Sequence, residues 1–370
     1  MPKKYKNIYV AATSQHVGKT TSTLGLVSCM MRKGINVGYC KPVGQIYLNL
    51  NDIRVDKDTL LFADLIRFKI VPEIHSPVIL GKGASEMILD NPKAIDLEKT
   101  VKDAEANLSQ NHELTIYEGT GHPGVGSLAN LSNARVASIL NAGVIMIVEG
   151  GIGNTIDTLN QSLALFREEK VPIVGIIINK VLPDKLDKVK YYVNKWLEPR
   201  NLKLLGLLPY DPTLAYPLIR TIAESINGTI IYNSAFADNK IENIIAGSLI
   251  DLKELTSSQD LLLVVSSKSL DEAIDKIKWL TELHNFDHCP LSGIVTTGSG
   301  NINHATLTFI EENNIPLIRT ELDTYGVAVK ISKIEVKINQ NTPWKIARAI
   351  NLIEENVDLD YILDYCSKNQ

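Results

Sequence analysis

The sequence predicts an α/β fold: a mostly parallel sheet covered by helices, followed by a second, smaller α/β unit. Three observations carry this. Over the first 210 residues, short β-branched runs alternate with longer segments of helical spacing. The strand-like runs, such as Gly143–Val148 and Val171–Ile178, are continuously apolar rather than alternating, which marks strands buried on both faces. After Pro217–Gly228 the same alternation restarts.

The elements follow in order. Ile8–Ala11 reads as a strand. Lys19–Lys33 reads as a helix, with Leu24, Val27 and Met31 on one stripe and Gly34 as its stop. Asn36–Cys40 is strand-like, and a polar stretch leads to a helix over Lys57–Phe68. Val101–Gln110 is a helix feeding the strand Leu114–Tyr117. Three further helix–strand pairs follow: Asn133–Asn141 with Val144–Val148, Thr155–Glu168 with Ile173–Ile178, and Lys185–Leu197 with Leu204–Leu207. The second unit reads as strands Thr229–Tyr232, Ile241–Ala246, Leu261–Val265, Leu291–Val295 and Pro316–Ile318, with helices Ser269–Leu283 and Asn303–Asn313. The expected domains are 1–222 and 228–342, with a helical C-terminal tail over 343–370.

Composition excludes several classes. The chain has 370 residues, 45% of them hydrophobic and 22% charged, the balance of a globular protein and not of a disordered or collagen-like one. A net charge of −4 supplies no global basic field, so neither nucleic acid nor a membrane is expected as partner. The apolar runs are too short to span a bilayer. Cys29, Cys40, Cys289 and Cys366 form no Cys-x-x-Cys pair or disulfide framework, and the N-terminus shows no apolar signal region. A cytoplasmic location is expected.

The sharpest motif is Thr13-Ser14-Gln15-His16-Val17-Gly18-Lys19-Thr20, between a strand and a helix. It is a P-loop pattern with Thr13 in the place of the first glycine. Such a loop curls backbone N–H groups around a polyphosphate, Lys19 neutralises β/γ oxygens, and the Thr20 hydroxyl is placed to bind Mg²⁺. Lys41 ends the next strand and offers a second cation to a γ-phosphate or an acceptor carboxyl. Glu118 ends an apolar strand, where a carboxylate is costly without a partner such as Mg²⁺. Asn179 ends another strand, and its amide suits the donor–acceptor edge of adenine. No carboxylate stands two positions after Lys180, where guanine recognition usually needs one; Leu182 is there. The loops Gly121–Ser127 and Gly150–Asn154 lie at strand ends and are either covers for an acceptor or ordinary connectors; His122 lies in the first.

With Tyr39-Cys40-Lys41-Pro42-Val43, Tyr117-Glu118-Gly119-Thr120-Gly121-His122 and Leu207-Leu208-Pro209-Tyr210 in the same order and context, residues 5–215 resemble the dethiobiotin synthetase family of P-loop ATPases. Ala12 departs from that family's Gly-Thr loop start. Gly44-Gln45 departs from the small hydroxyl residue it commonly places near here, so its diamino acid substrate is not carried over. The resemblance implies that Lys41 serves phosphoryl transfer, that Asp58 joins Thr20 and Glu118 at Mg²⁺, and that Asn179 and the backbone near Pro209 enclose adenine. For Asp58 the residues alone allow an acidic first helical turn instead. The implied nucleotide set is Thr13, Ser14, Gln15, His16, Val17, Gly18, Lys19, Thr20, Thr21, Asn179 and Pro209, with ATP and Mg²⁺ as cofactors.

The second unit resembles a DRTGG domain through Ile245-Ala246-Gly247-Ser248, Leu261–Val265, Ile294-Val295-Thr296-Thr297-Gly298 and Pro316–Thr324, although Ser266-Ser267-Lys268 stands where that family often has Gly-Asp-Arg. The pair of units is similar to the N-terminal region of long bacterial phosphotransacetylases, and their acyltransferase domain has no room here. Two functions follow: an ATPase that activates a carboxylate or carbamate of an unidentified small-molecule acceptor, or a nucleotide-sensing regulatory module. A homodimer is an option for either.

Overall fold

The computed structural model describes the chain except residues 1–5, 51–52, 92–93, 248–258, 287, 335 and 369–370. The expectations for the extreme N-terminus and for Ser248 therefore lie outside the described residues. The chain forms two compact units, Met1–Asp211 with Ile338–Gln370, and Pro212–Lys337.

The first unit is built on a six-stranded sheet in the spatial order Leu204–Pro209, Ile173–Val181, Gly143–Glu149, Ile8–Ala12, Leu114–Glu118, Val37–Cys40. Every pair in it is parallel. Alternate residues of the first strand enter two different cores. Ile8 and Val10 pack with Leu24, Val27 and Met30 of the helix Lys19–Arg32. Tyr9 and Ala11 pack with Val136, Leu159 and Phe166 on the other face. Burial on both faces is why these strands read as unbroken apolar runs. The chain passes from Ile8–Ala12 to the edge strand Val37–Cys40, returns to Leu114–Glu118, and then continues on the opposite side of the first strand. That reversal opens a crevice at the carboxyl ends of the central strands, where open α/β sheets bind ligands.

Three differences from the sequence reading stand out. The region between Cys40 and Lys57 holds a hairpin, Tyr47–Leu50 with Ile53–Asp56, and a short parallel pair joins Val43–Gly44 to Val78–Ile79. The helix expected at Val101 starts at Leu97, because the Asp96 carboxylate accepts the Lys99 N–H at 2.9 Å and caps it. The expected tail over 343–370 is no appendage. Its helices Pro343–Asn356 and Leu359–Lys368 cover the first sheet with Ile350, Ile353 and Ile362. Gly25 makes room for this: a Cβ there would lie 2.9 Å from the Ala349 carbonyl. Asp358 N–H donates to the Leu205 carbonyl at 2.9 Å, and Lys6 N–H to that of Cys366 at 3.0 Å.

The second unit is a five-stranded sheet ordered Thr229–Tyr232, Leu317–Thr320, Leu291–Thr297, Leu261–Ser266, Asn243–Ala246, antiparallel only at its first pair. It begins at Pro212 rather than at 228, and it ends at Lys337 rather than 342. The stretch Pro217–Gly228, read as a break, contains the helix Ile219–Ser225, whose Ile219 and Ile222 pack with Leu262, Val264 and Ile318. The flanking Pro and Asn-Gly are true turn signals, but the stretch between them has room for a helix of 7 residues, about two turns. A helix at Thr324–Ile331 was also unanticipated; Asp323 caps it, accepting the Gly326 N–H at 2.7 Å. Among the described residues no helix is long and apolar enough to cross a membrane.

Candidate nucleotide-binding site

The loop after the first strand leaves the sheet late. Thr13 N–H still donates to the Ile147 carbonyl at 3.0 Å, so this position continues the ladder and has no need of glycine. The left-handed turns fall on His16 (φ 61°) and Gly18 (φ 97°). At Gly18 any side chain would also run into the Asn179 carboxamide. Ser14, Gln15 and His16 are exposed, Val17 is buried, and Lys19, Thr20 and Thr21 form the first turn of the following helix. That helix has no side-chain cap and no acidic residue in its first turn, so its N-terminal amides and dipole are left for an anion.

Two residues of the strand Ile173–Val181, second from Ile8–Ala12 in the sheet, brace this loop. Asn179 Nδ2 donates to the Val17 carbonyl at 2.7 Å, and its Oδ1 accepts the Lys180 N–H at 2.9 Å. Lys180 Nζ donates to the His16 carbonyl at 2.8 Å and pairs with Glu149 at 3.2 Å. Asn179 therefore sits where the sequence placed it, but its amide contacts the loop backbone. Pro209 of the adjacent strand pairs with Val181, two residues beyond Asn179, and Tyr210 N–H donates to the Val181 carbonyl at 2.7 Å.

Glu118 and Thr20 meet. The Thr20 hydroxyl donates to Glu118 Oε1 at 2.7 Å, and the Tyr39 hydroxyl donates to Oε2 at 3.2 Å. Glu118 is 1% exposed. Burial pushes its carboxyl up to about 7 against the pull of Lys41; Asp58 adds to the rise, while the Thr20 bond and Lys19 oppose it. Lys19 Nζ donates to the Gly121 carbonyl at 2.9 Å, in the loop that follows Glu118.

Lys41 is buried between two carboxylates. It contacts Asp58 Oδ2 and lies 3.3 Å from Asp56 Oδ1. Burial alone would lower its ammonium, but Asp58, Glu118 and Asp56 outweigh that and hold it well above the ordinary lysine range. Asp56 also caps the helix Lys57–Ile66, accepting the Asp58 N–H at 2.9 Å. Asp58 stands in the first turn of that helix, as the residues alone allowed, while the side-chain cap is Asp56. Among the described residues no three His, Cys, Asp or Glu side chains gather into a metal site of their own. Any cation at Thr20 and Glu118 would complete its shell with phosphate oxygens and water, the usual habit of Mg²⁺.

The sequence reading missed Tyr39 and Lys180 as site residues and set Asp56 second to Asp58. Asp56 carried a signal, an acidic residue directly before a helix. Tyr39 stands two residues before Lys41, in the strand Val37–Cys40 that leads to it. Lys180 carried none, because only the fold brings it under the loop.

A parallel sheet with this loop at its reversal point, a lysine and a hydroxyl at the helix start, and a buried carboxylate on the adjacent strand define a P-loop nucleotide-binding fold. Residues 6–217 match the AAA_26 family, an AAA domain, over more than half of the chain, and the chain belongs to this dethiobiotin synthetase-like P-loop family. Among individual proteins it is similar to a phosphate acetyltransferase of Synechocystis, 21% identical over 97% of this chain and 51% of that protein. It is also similar to a probable cobyric acid synthase of Methanosphaera stadtmanae, 27% identical over 57% of this chain and 46% of that protein. The chain thus spans about half the length of the curated relatives it matches. Among solved structures, the MinD cell division protein of Aquifex aeolicus superimposes with a TM-score of 0.38 at 14% identity, covering 57% of this chain and 84% of that one.

Proposed function

We propose that the first unit binds Mg-ATP and transfers its γ-phosphoryl group to a carboxylate or carbamate oxygen of an acceptor. The observation that supports this reading most is the convergence of Thr20 on Glu118, with Lys19 and the Lys41 cluster around them. The donor set fits Mg²⁺: a hydroxyl beside a buried carboxylate whose anionic form lacks solvation. Thr20 and Glu118 would hold the ion, with Asp58 as a third oxygen donor, and the ion supplies positive charge against the β- and γ-oxygens. Lys19 turns from the Gly121 carbonyl to the polyphosphate, and the loop amides from Ser14 to Thr20 enclose it. Lys41 neutralises charge on the transferring group. The acceptor oxygen forms a bond to phosphorus as the bond from phosphorus to the bridging oxygen breaks, leaving ADP and a mixed anhydride. Adenine is assigned to the edge formed by Asn179 and Pro209, since Leu182 offers guanine no carboxylate.

A second reading has its own support. Phosphate acetyltransferases of Synechocystis and Acinetobacter baylyi align with 97% and 96% of this chain, so both units recur together inside larger proteins. In this reading the second unit is a DRTGG-like regulatory domain, and ATP occupancy of the first signals to a metabolic partner. ADP formation from ATP across a panel of small carboxylic acids and amines separates the two. Formation stimulated by one acceptor supports transfer; tight Mg-ATP binding with no stimulation by any supports sensing.

A further inference from the structure

Asn133 does more than open the helix Asn133–Ile139. Its side chain is buried, and its carboxamide is saturated. Oδ1 accepts the Tyr9 hydroxyl at 2.7 Å and the Thr120 N–H at 2.9 Å. Nδ2 donates to the Thr120 carbonyl at 2.7 Å and to the His122 carbonyl at 2.6 Å. These use both donors and both lone pairs of the group. Its backbone N–H donates to the Pro123 carbonyl at 2.9 Å. One residue thus grips the segment after Glu118 at three successive places. Gly119 makes the approach feasible, because a Cβ there would lie 2.6 Å from Asn133 Oδ1 and 3.0 Å from the Tyr9 ring.

The gripped segment and the residue before it carry two groups of the nucleotide site. Glu118 precedes it and meets Thr20; the Gly121 carbonyl within it receives Lys19. The Thr120 hydroxyl also donates to the Val43 carbonyl, two residues past Lys41, which ties the same segment to the strand end that carries the second cation. Gly119 and Gly121, with Gly121 at φ 60°, would otherwise leave this backbone free to take several courses.

We propose that Asn133 is a positioning residue of the nucleotide site: it fixes the Glu118–Gly121 segment so that the carboxylate faces Thr20, the residue with which it would hold the metal. This rests on the reading of the site as one for a magnesium nucleotide. The carboxylate alone does not set metal affinity; its orientation does, and outer partners of metal ligands commonly carry about 10–100-fold in affinity.

The test titrates Mg²⁺ into the full chain with a fluorescent ATP analogue, for wild type, Asn133→Ala and Gly119→Ala. Binding of the analogue is also measured in EDTA, and folding is followed by thermal melting. Gly119→Ala keeps the carboxamide but displaces it, and it decides the matter if Asn133→Ala does not fold. The expected result is a rise of about 10-fold or more in the Mg²⁺ concentration for half-maximal binding, with metal-free binding within about threefold of wild type. An unchanged Mg²⁺ requirement in a folded variant overturns the assignment, and so does an equal loss with and without metal, which marks a purely structural role. If wild type shows no Mg²⁺-dependent nucleotide binding, the proposed function falls and this inference falls with it.

Discussion

At the scale of single residues, Lys19, Glu118 and Lys41 carry different loads. Lys19 rests on a backbone carbonyl, so its removal leaves the fold intact and the polyphosphate uncompensated. Lys19→Ala should weaken ATP binding by about 2–3 kcal/mol, the scale of a charge-assisted contact, in calorimetry on a variant of unaltered melting temperature. Glu118 is buried with a carboxyl raised to about 7 from 4.5. The sign follows from linkage: the folded state holds the proton more tightly than the unfolded one, so this stabilising contribution is complete below pH 4.5 and declines as pH rises through about 7. Without nucleotide, the wild type should therefore lose stability relative to Glu118→Gln between about pH 5 and about pH 8, read as diverging denaturant midpoints. The same substitution keeps the shape but removes the charge, so it should raise the Mg²⁺ requirement more than it weakens metal-free binding. Matching denaturant midpoints for the two proteins across that range would show that Glu118 is not the group titrating.

Whole elements explain what was legible in the sequence and what was not. The strands and most helices were, because burial on both faces writes unbroken apolar runs and amphipathic stripes into local sequence. The strand–loop–helix of Ile8–Arg32 was legible for the same reason, together with its Gly-Lys-Thr. The destination of the last two helices was not: the amphipathic face of Pro343–Asn356 shows that it packs, but its partner Gly25 lies more than 300 residues away. The boundary at Asp211 was hidden by turn residues that flank a helix of the second unit. Asn133 and Lys180 escaped as site residues because their roles come from contacts across the sheet, which spacing does not record. Ile353 tests the closing helices. It is 1% exposed and sits against Gly25 on the helix Lys19–Arg32. Ile353→Ala should cost about 2–5 kcal/mol of the first unit's stability in denaturant unfolding, the range for truncating a well-packed core side chain. A cost under about 1 kcal/mol would mean that the C-terminal helices are weakly bound to this sheet.

At the scale of the whole molecule, the two units have separate sheets and separate cores. The second unit, residues 212–337, is an insertion between Asp211 and the helices that complete the first. Its excised form should fold alone and bind no ATP. A first unit ending at residue 211 should not fold, since it lacks the apolar cover supplied by 338–370. The central claim is that this first unit is a magnesium–adenine nucleotide site. Calorimetric titration of the full chain with ATP and with GTP, each with and without Mg²⁺, tests it most directly. The account predicts saturable binding of ATP that tightens with Mg²⁺, is weakened by about 2–3 kcal/mol in Lys19→Ala, and is at least about 10-fold stronger than that of GTP, a difference of about 1.4 kcal/mol or more between the two purines. Binding of GTP equal to or tighter than ATP, or ATP binding indifferent to both Mg²⁺ and Lys19, would contradict it.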